Sequence, residues 1–146
     1  MKSSLLIATA AAILVAAVSA STAVGGRTVL PGFRSPTTNI RCFVVHELYC
    51  YIARSDYAGS LQNWCMRSQG LDWHGFVLDP RRRGRVFCTS NSPYDLGRKR
   101  PSDRILQYGK SFHRGSFACT SRVTGITCRN RGGHGLFVSR QAWRAW

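Results

Sequence analysis

The chain has 146 residues, 21 of them Lys or Arg and six Asp or Glu, which gives a formal net charge of +15 and a mean hydropathy of −0.16. That length fits one domain rather than two, and no run beyond the N-terminus is long or apolar enough to span a bilayer. So strong a positive balance favours anionic partners, whether nucleic acid, cell-wall polyanion or acidic lipid.

Met1-Lys2-Ser3-Ser4 precedes an almost unbroken apolar run from Leu5 to Val18, followed by Ser19-Ala20. A basic residue, a short apolar core and small residues at the end are the three parts of a secretory signal peptide. Cleavage is expected after Ala20, with Ala23 as a second possibility. As a membrane anchor the run falls short of the ~20 residues a bilayer requires. Residues 1–20 are therefore read as a signal peptide and residues 21–32 as a flexible lead-in without periodicity. Residues 33–146 form the folded domain, with no transmembrane segment after cleavage. Loss of Lys2 leaves 20 basic residues, 18 of them arginine, against six acids. A bias toward arginine codons would produce the same composition, and the charge is spread over the whole chain.

Six cysteines, Cys42, Cys50, Cys65, Cys88, Cys119 and Cys128, are an even number suited to an oxidising compartment. Fifteen pairings are possible for six cysteines. Sequence neighbours are the economical choice: Cys42–Cys50, Cys65–Cys88 and Cys119–Cys128. The first and third would close loops of hairpin length. Zinc is the competing use, but the chain has no Cys-x-x-Cys pair. No metal or cofactor is expected.

In chain order, Asn39–Val45 and Glu47–Ile52 are rich in β-branched and aromatic residues and read as a first hairpin. Ser55–Gly70 has weak helical character at best and is read as an irregular loop tied down by Trp64 and Cys65. Asp72–Leu78 and Arg85–Cys88 form a second hairpin around the turn Asp79-Pro80-Arg81-Arg82-Arg83-Gly84. Thr89–Ser102 is a polar surface loop, and Asp103–Phe112 resumes strand character. Gly115–Asn130 is a hairpin stapled by Cys119 and Cys128, leading into a third strand in the run that begins at Gly132. Ser139–Trp146 is expected to form one short helical turn capped by Ser139. The sum is about seven to nine short strands. The fold class is mainly β: a small, single-domain antiparallel sheet or sandwich of hairpins, stapled by three disulfides, with little helix.

Leu106-Gln-Tyr-Gly-Lys-Ser, Gly115-Ser-Phe-Ala-Cys-Thr-Ser, Gly125-Ile-Thr-Cys-Arg-Asn and Gly133-His-Gly-Leu-Phe-Val-Ser-Arg resemble a family of small exported domains of unknown function, found chiefly in actinobacteria. Phe33-Arg-Ser-Pro followed by Asn39-Ile-Arg-Cys resembles that family's opening motif, and Trp64-Cys65 and Phe87-Cys88 fall where its middle cysteines would. The resemblance covers Phe33 to Trp146 and departs from the family pattern at Thr89–Tyr94. It implies an exported, disulfide-bonded, β-rich domain and supplies no catalytic residues.

Two segments concentrate the positive charge. Arg81-Arg82-Arg83-Gly84-Arg85 would project from the tip of the second hairpin toward phosphates. Gly132-Gly133-His134, flanked by Arg129 and Arg131, could form a backbone nest for an anion held also by the guanidiniums. The plain alternatives are a solvated turn and a glycine turn with positive φ. The four histidines, His46, His74, His113 and His134, raise a second possibility, a secreted metal-independent ribonuclease. Such an enzyme would use His46, His113 or His134 as acid and base, with Arg129 or Lys110 beside the phosphate. No Gly-x-Ser-x-Gly or His-Glu-x-x-His motif is present. A third possibility is a protein-partner or structural module of the cell envelope, for which an exposed cluster of Trp143 and Trp146 would speak. The leading expectation is an exported, non-enzymatic binding domain for anionic polymers or surfaces, its oligomeric state left open.

Overall fold

The computed structural model describes residues 31–90 and 104–146. The expected signal peptide, most of the lead-in and most of the polar loop after Thr89 lie outside the described residues. Eleven strands and one helix occur among those described: β1 (Gly32–Arg34), β2 (Ile40–Val44), β3 (Leu48–Ile52), α1 (Ala58–Gln69), β4 (Asp72–Leu78), β5 (Arg85–Thr89), β6 (Arg104–Ile105), β7 (Ser111–Arg114), β8 (Phe117–Arg122), β9 (Gly125–Asn130), β10 (Gly135–Val138) and β11 (Trp143–Ala145). They build a six-stranded sheet ordered β5-β4-β3-β2-β1-β6 and a five-stranded sheet ordered β11-β10-β9-β8-β7. All pairings are antiparallel except β1 with β6.

Alternation along each strand decides which side chains meet between the sheets. In the six-stranded sheet one transverse row runs Phe33, Cys42, Cys50, Phe76, Val86. Its counterpart in the other sheet runs Phe112, Cys119, Cys128, Leu136, Ala145. All of these belong to or pack against a single core cluster, so the two sheets share one interior. Phe33 meets Phe112 with ring centroids 4.9 Å apart, and Phe76 meets Trp143 at the same distance. Trp143 is thus core cover.

All three expected disulfides are present. Cys42–Cys50 and Cys119–Cys128 join directly opposed residues, with Cα atoms 4.2 and 4.0 Å apart, the close spacing of a cross-strand pair without its own ladder bonds. The two bridges face each other across the interior: the sulfurs of Cys42, Cys50 and Cys128 lie within 4.8 Å of one another.

Two local expectations are corrected. Ser55–Gly70 is not an irregular loop, because Ala58–Gln69 is helical. Leu61 and Cys65, four residues apart, turn one face inward. Gly70 ends the helix in the left-handed region and donates its amide to the Met66 carbonyl at 3.0 Å. Tertiary ties stabilise a segment of modest propensity. Besides Cys65–Cys88, the Gln62 side chain donates to Asp72 and accepts the Trp73 amide. The second correction is at the C-terminal end, where β11 replaces the expected helical turn. Ser139 Oγ accepts the Ala142 amide and donates to its carbonyl, tightening a turn that sends Trp143–Ala145 back along β10.

A candidate anion-binding edge

The arginine turn and the glycine turn, about 50 residues apart in sequence, lie against each other, and Asn130 is the link. At the end of β9 the alternation turns Arg129 outward and Asn130 inward, where it is buried. Its Nδ2 donates to the Asp79 and Arg82 carbonyls, both at 2.8 Å, and its Oδ1 accepts the His134 amide at 3.0 Å. Gly132 packs so closely on this turn that a Cβ there would lie 2.6 Å from the Arg81 carbonyl oxygen. Asp79 shapes the arginine turn from within: its Oδ1 accepts the Arg81 and Arg82 amides at 2.8 and 3.0 Å. Those backbone bonds, Arg81's first, hold its carboxyl below the usual carboxylate range, helped by the Arg82 and Arg85 charges.

From this turn the Arg83 side chain reaches the five-stranded sheet. Ladder pairing places Arg129 beside Gly135 and Phe137 beside both Thr127 and Arg144. Trp146 exchanges both backbone hydrogen bonds with Gly135, and its indole lies over that glycine, where any Cβ would collide with the ring. The Arg129 guanidinium sits 5.4 Å from the Trp146 ring centroid, and that of Arg144 sits 5.3 Å from the Phe137 ring. Arg83 Nε donates to the Ala145 carbonyl at 2.9 Å. Together Arg83, Arg129, Arg144, Phe137 and Trp146 border a groove of about 780 Å³ that, among the described residues, no acidic side chain lines.

Of the residues singled out in the sequence, Arg83 and Arg129 line the groove, while Arg81, Arg82, Arg131 and His134 stand on the two turns beside it. Arg85 does not act with them, since its guanidinium pairs with Glu47 at 3.2 Å. The glycine nest is engaged internally: the Gly133 amide donates to the Asn130 carbonyl and the His134 amide to the Asn130 side chain. The guanidiniums are left as the anion-holding groups. Sequence reasoning missed Arg144, Trp146 and Phe137 as partners and Asn130 as the link. Their signal was the alternation Cys128-Arg129-Asn130, which places a polar side chain at an inward position.

Among the described residues, none of the four histidine side chains hydrogen-bonds to another side chain, so none is oriented as a general base by a partner. The cysteine sulfurs that crowd the interior are already joined as disulfides.

Fold and edge define a small, arginine-rich, disulfide-stapled domain of two β-sheets. Residues 68–144, more than half of the chain, match the family of unknown function DUF6636, and the chain belongs to that family. The match begins inside α1 and takes in the whole arginine edge except Trp146. The Phe33–Cys42 segment, read as a family opening motif, lies outside it. No curated protein and no solved structure matches the chain.

Proposed function

We propose that this is an exported, non-enzymatic binding domain that engages anionic polymers through the guanidiniums of the Arg83–Arg129–Arg144 edge. The observation that carries the reading is the Asn130 link, which brings two separately encoded arginine clusters together at one groove. Guanidiniums recognise phosphate, sulfate and carboxylate in fork geometry, and several in a row favour a chain of such groups over a single one. The flanking indole adds a stacking plane for a ring carried by the polymer. Export belongs to the same proposal. It is supported by the tripartite N-terminus and by three disulfides, which an oxidising compartment maintains.

The test is retention of the oxidised protein on heparin and polyphosphate matrices over a salt gradient. Stepwise weakening with salt is expected, and elution with a neutral domain of equal size would end the proposal. Incubation with labelled RNA tests the ribonuclease alternative in the same preparation. Cleavage that disappears when all four histidines become alanine would replace binding by catalysis.

A further inference from the structure

At the other end of β9 and β10, about 14 Å along β9 from Arg129 to Gly125, the sheets part around a cleft of about 420 Å³. That volume lies within the ~300–1,000 Å³ typical of small-molecule sites. Its walls are the turn between β1 and β2, the start of the segment after β3, the β8–β9 turn and the loop after β10. They are held in place by backbone-directed bonds. Asn39 donates to the Arg54 carbonyl at 3.0 Å and accepts the Arg54 amide at 2.9 Å. Buried Ser35 accepts the Ile40 amide at 3.1 Å. On the far wall, Tyr57 donates to the Ser139 carbonyl and Asp56 donates its amide to that of Arg140.

Three arginines, Arg54, Arg122 and Arg140, line this frame, and among the described residues no acidic side chain lines the cleft. Arg140 alone among them has an ionic partner among the described residues, Asp56 at 3.6 Å and exposed. Thr38, also in the lining, is held at φ 58°, a left-handed conformation that a β-branched residue adopts only under constraint. Such outliers cluster at ligand sites. Val123, 81% exposed at the tip of the β8–β9 turn, and Tyr108 give the rim an apolar edge.

The lining is rich in donors: guanidiniums donate only, and the threonine hydroxyls donate or accept. A matching ligand is rich in acceptors, carries an anionic group and has a compact ring for Val123 and Tyr108 to contact. We propose that this cleft is a second site, separate from the arginine edge, that binds an acidic sugar unit, a hexose phosphate or a hexuronate. The two sources share an anionic oxygen group on a hydroxylated ring.

The experiment is a titration of the isotope-labelled, oxidised protein, following backbone amide shifts, with D-glucose 6-phosphate, D-glucuronate, D-glucose and inorganic phosphate. Shifts are expected in residues 35–39, 122–125 and 139–141 with one or both acidic sugars, identifying the phosphate or the carboxylate source. D-glucose alone should leave them unmoved. Arg122→Ala, at the exposed end of β8, and Arg54→Ala should each weaken binding about tenfold or more, while Arg129→Ala leaves it unchanged. The proposal is overturned if neither acidic sugar shifts these amides, if inorganic phosphate binds as tightly as the sugar phosphate, or if Arg129→Ala abolishes binding. The last result would assign the sugar to the arginine edge.

Discussion

Salt dependence offers the sharpest test of the edge, because it counts charges. Arg83, Arg129 and Arg144 border the groove, and Arg81, Arg82 and Arg131 are exposed on the two turns beside it, six guanidiniums in all, while Arg85 pairs with Glu47. For a single-stranded polyanion, the logarithm of affinity falls with the logarithm of salt by about 0.7 per phosphate contact. Six contacts set an upper slope of about −4. Arg82→Ala with Arg131→Ala removes two exposed guanidiniums while leaving Arg82's carbonyl bond to Asn130 intact. The double variant should bind more weakly at low salt, with a slope shallower by about 1.4. Fluorescence anisotropy of a labelled single-stranded oligonucleotide, between about 50 and 200 mM salt, measures it. The control pair is Arg67→Ala on α1 with Arg104→Ala on β6, at the sheet edge opposite β5. If the control pair flattens the slope as much as the edge pair, attraction is a property of net charge and the edge has no special part in it.

Asn130→Ala leaves every guanidinium in place but removes three hydrogen bonds from a buried link. It should lower stability by about 1–3 kcal/mol in denaturant unfolding and also weaken polyanion retention, and unchanged retention would show that the two turns need not be held together. Burial pushes the Tyr57 hydroxyl well above its ordinary pKa. Past the ordinary tyrosine value of about 10 the unfolded chain loses this proton while the folded one keeps it, so stability should fall as pH rises through that region. Tyr57→Phe should flatten that alkaline fall in thermal melts, and an identical profile would refute the assignment. Ser121 is fully buried with a hydroxyl that has no hydrogen-bond partner among the described residues. Ser121→Ala should therefore hold or raise the melting temperature, and a clear loss of stability would show that the hydroxyl is satisfied.

What could be read in advance follows from the range over which each signal acts. Strand alternation and cysteine spacing are local, and they yielded both stapled hairpins and the β4–β5 hairpin with its arginine turn. α1 was illegible because Gly59, Ser60, Asn63 and Ser68 dilute its propensity, and its stability comes from Gln62 and the Cys65–Cys88 tie to distant strands. The last strand was missed for a related reason: Ser139 suits a helix cap and a tight turn equally, and only β10 beside it decides between them. At the edge, the charges were visible but their meeting was not. Arg81–Arg83 and Arg129–Arg131 come together through one asparagine whose inward position depends on the register of β9.

The two facing bridges in the interior give the domain an uneven response to reductants. Thiol exchange needs a thiolate to reach sulfur, and Cys42, Cys50, Cys119 and Cys128 are at most 1% exposed. Cys88 is only partly covered, so Cys65–Cys88 can open first and release the helix while the paired sheets stay closed. Once the sheets separate, however, a thiolate freed at Cys128 would find two other sulfurs within reach. Mild reduction should thus be cleanly reversible, whereas deeper reduction would invite exchange between neighbours and mispaired isomers.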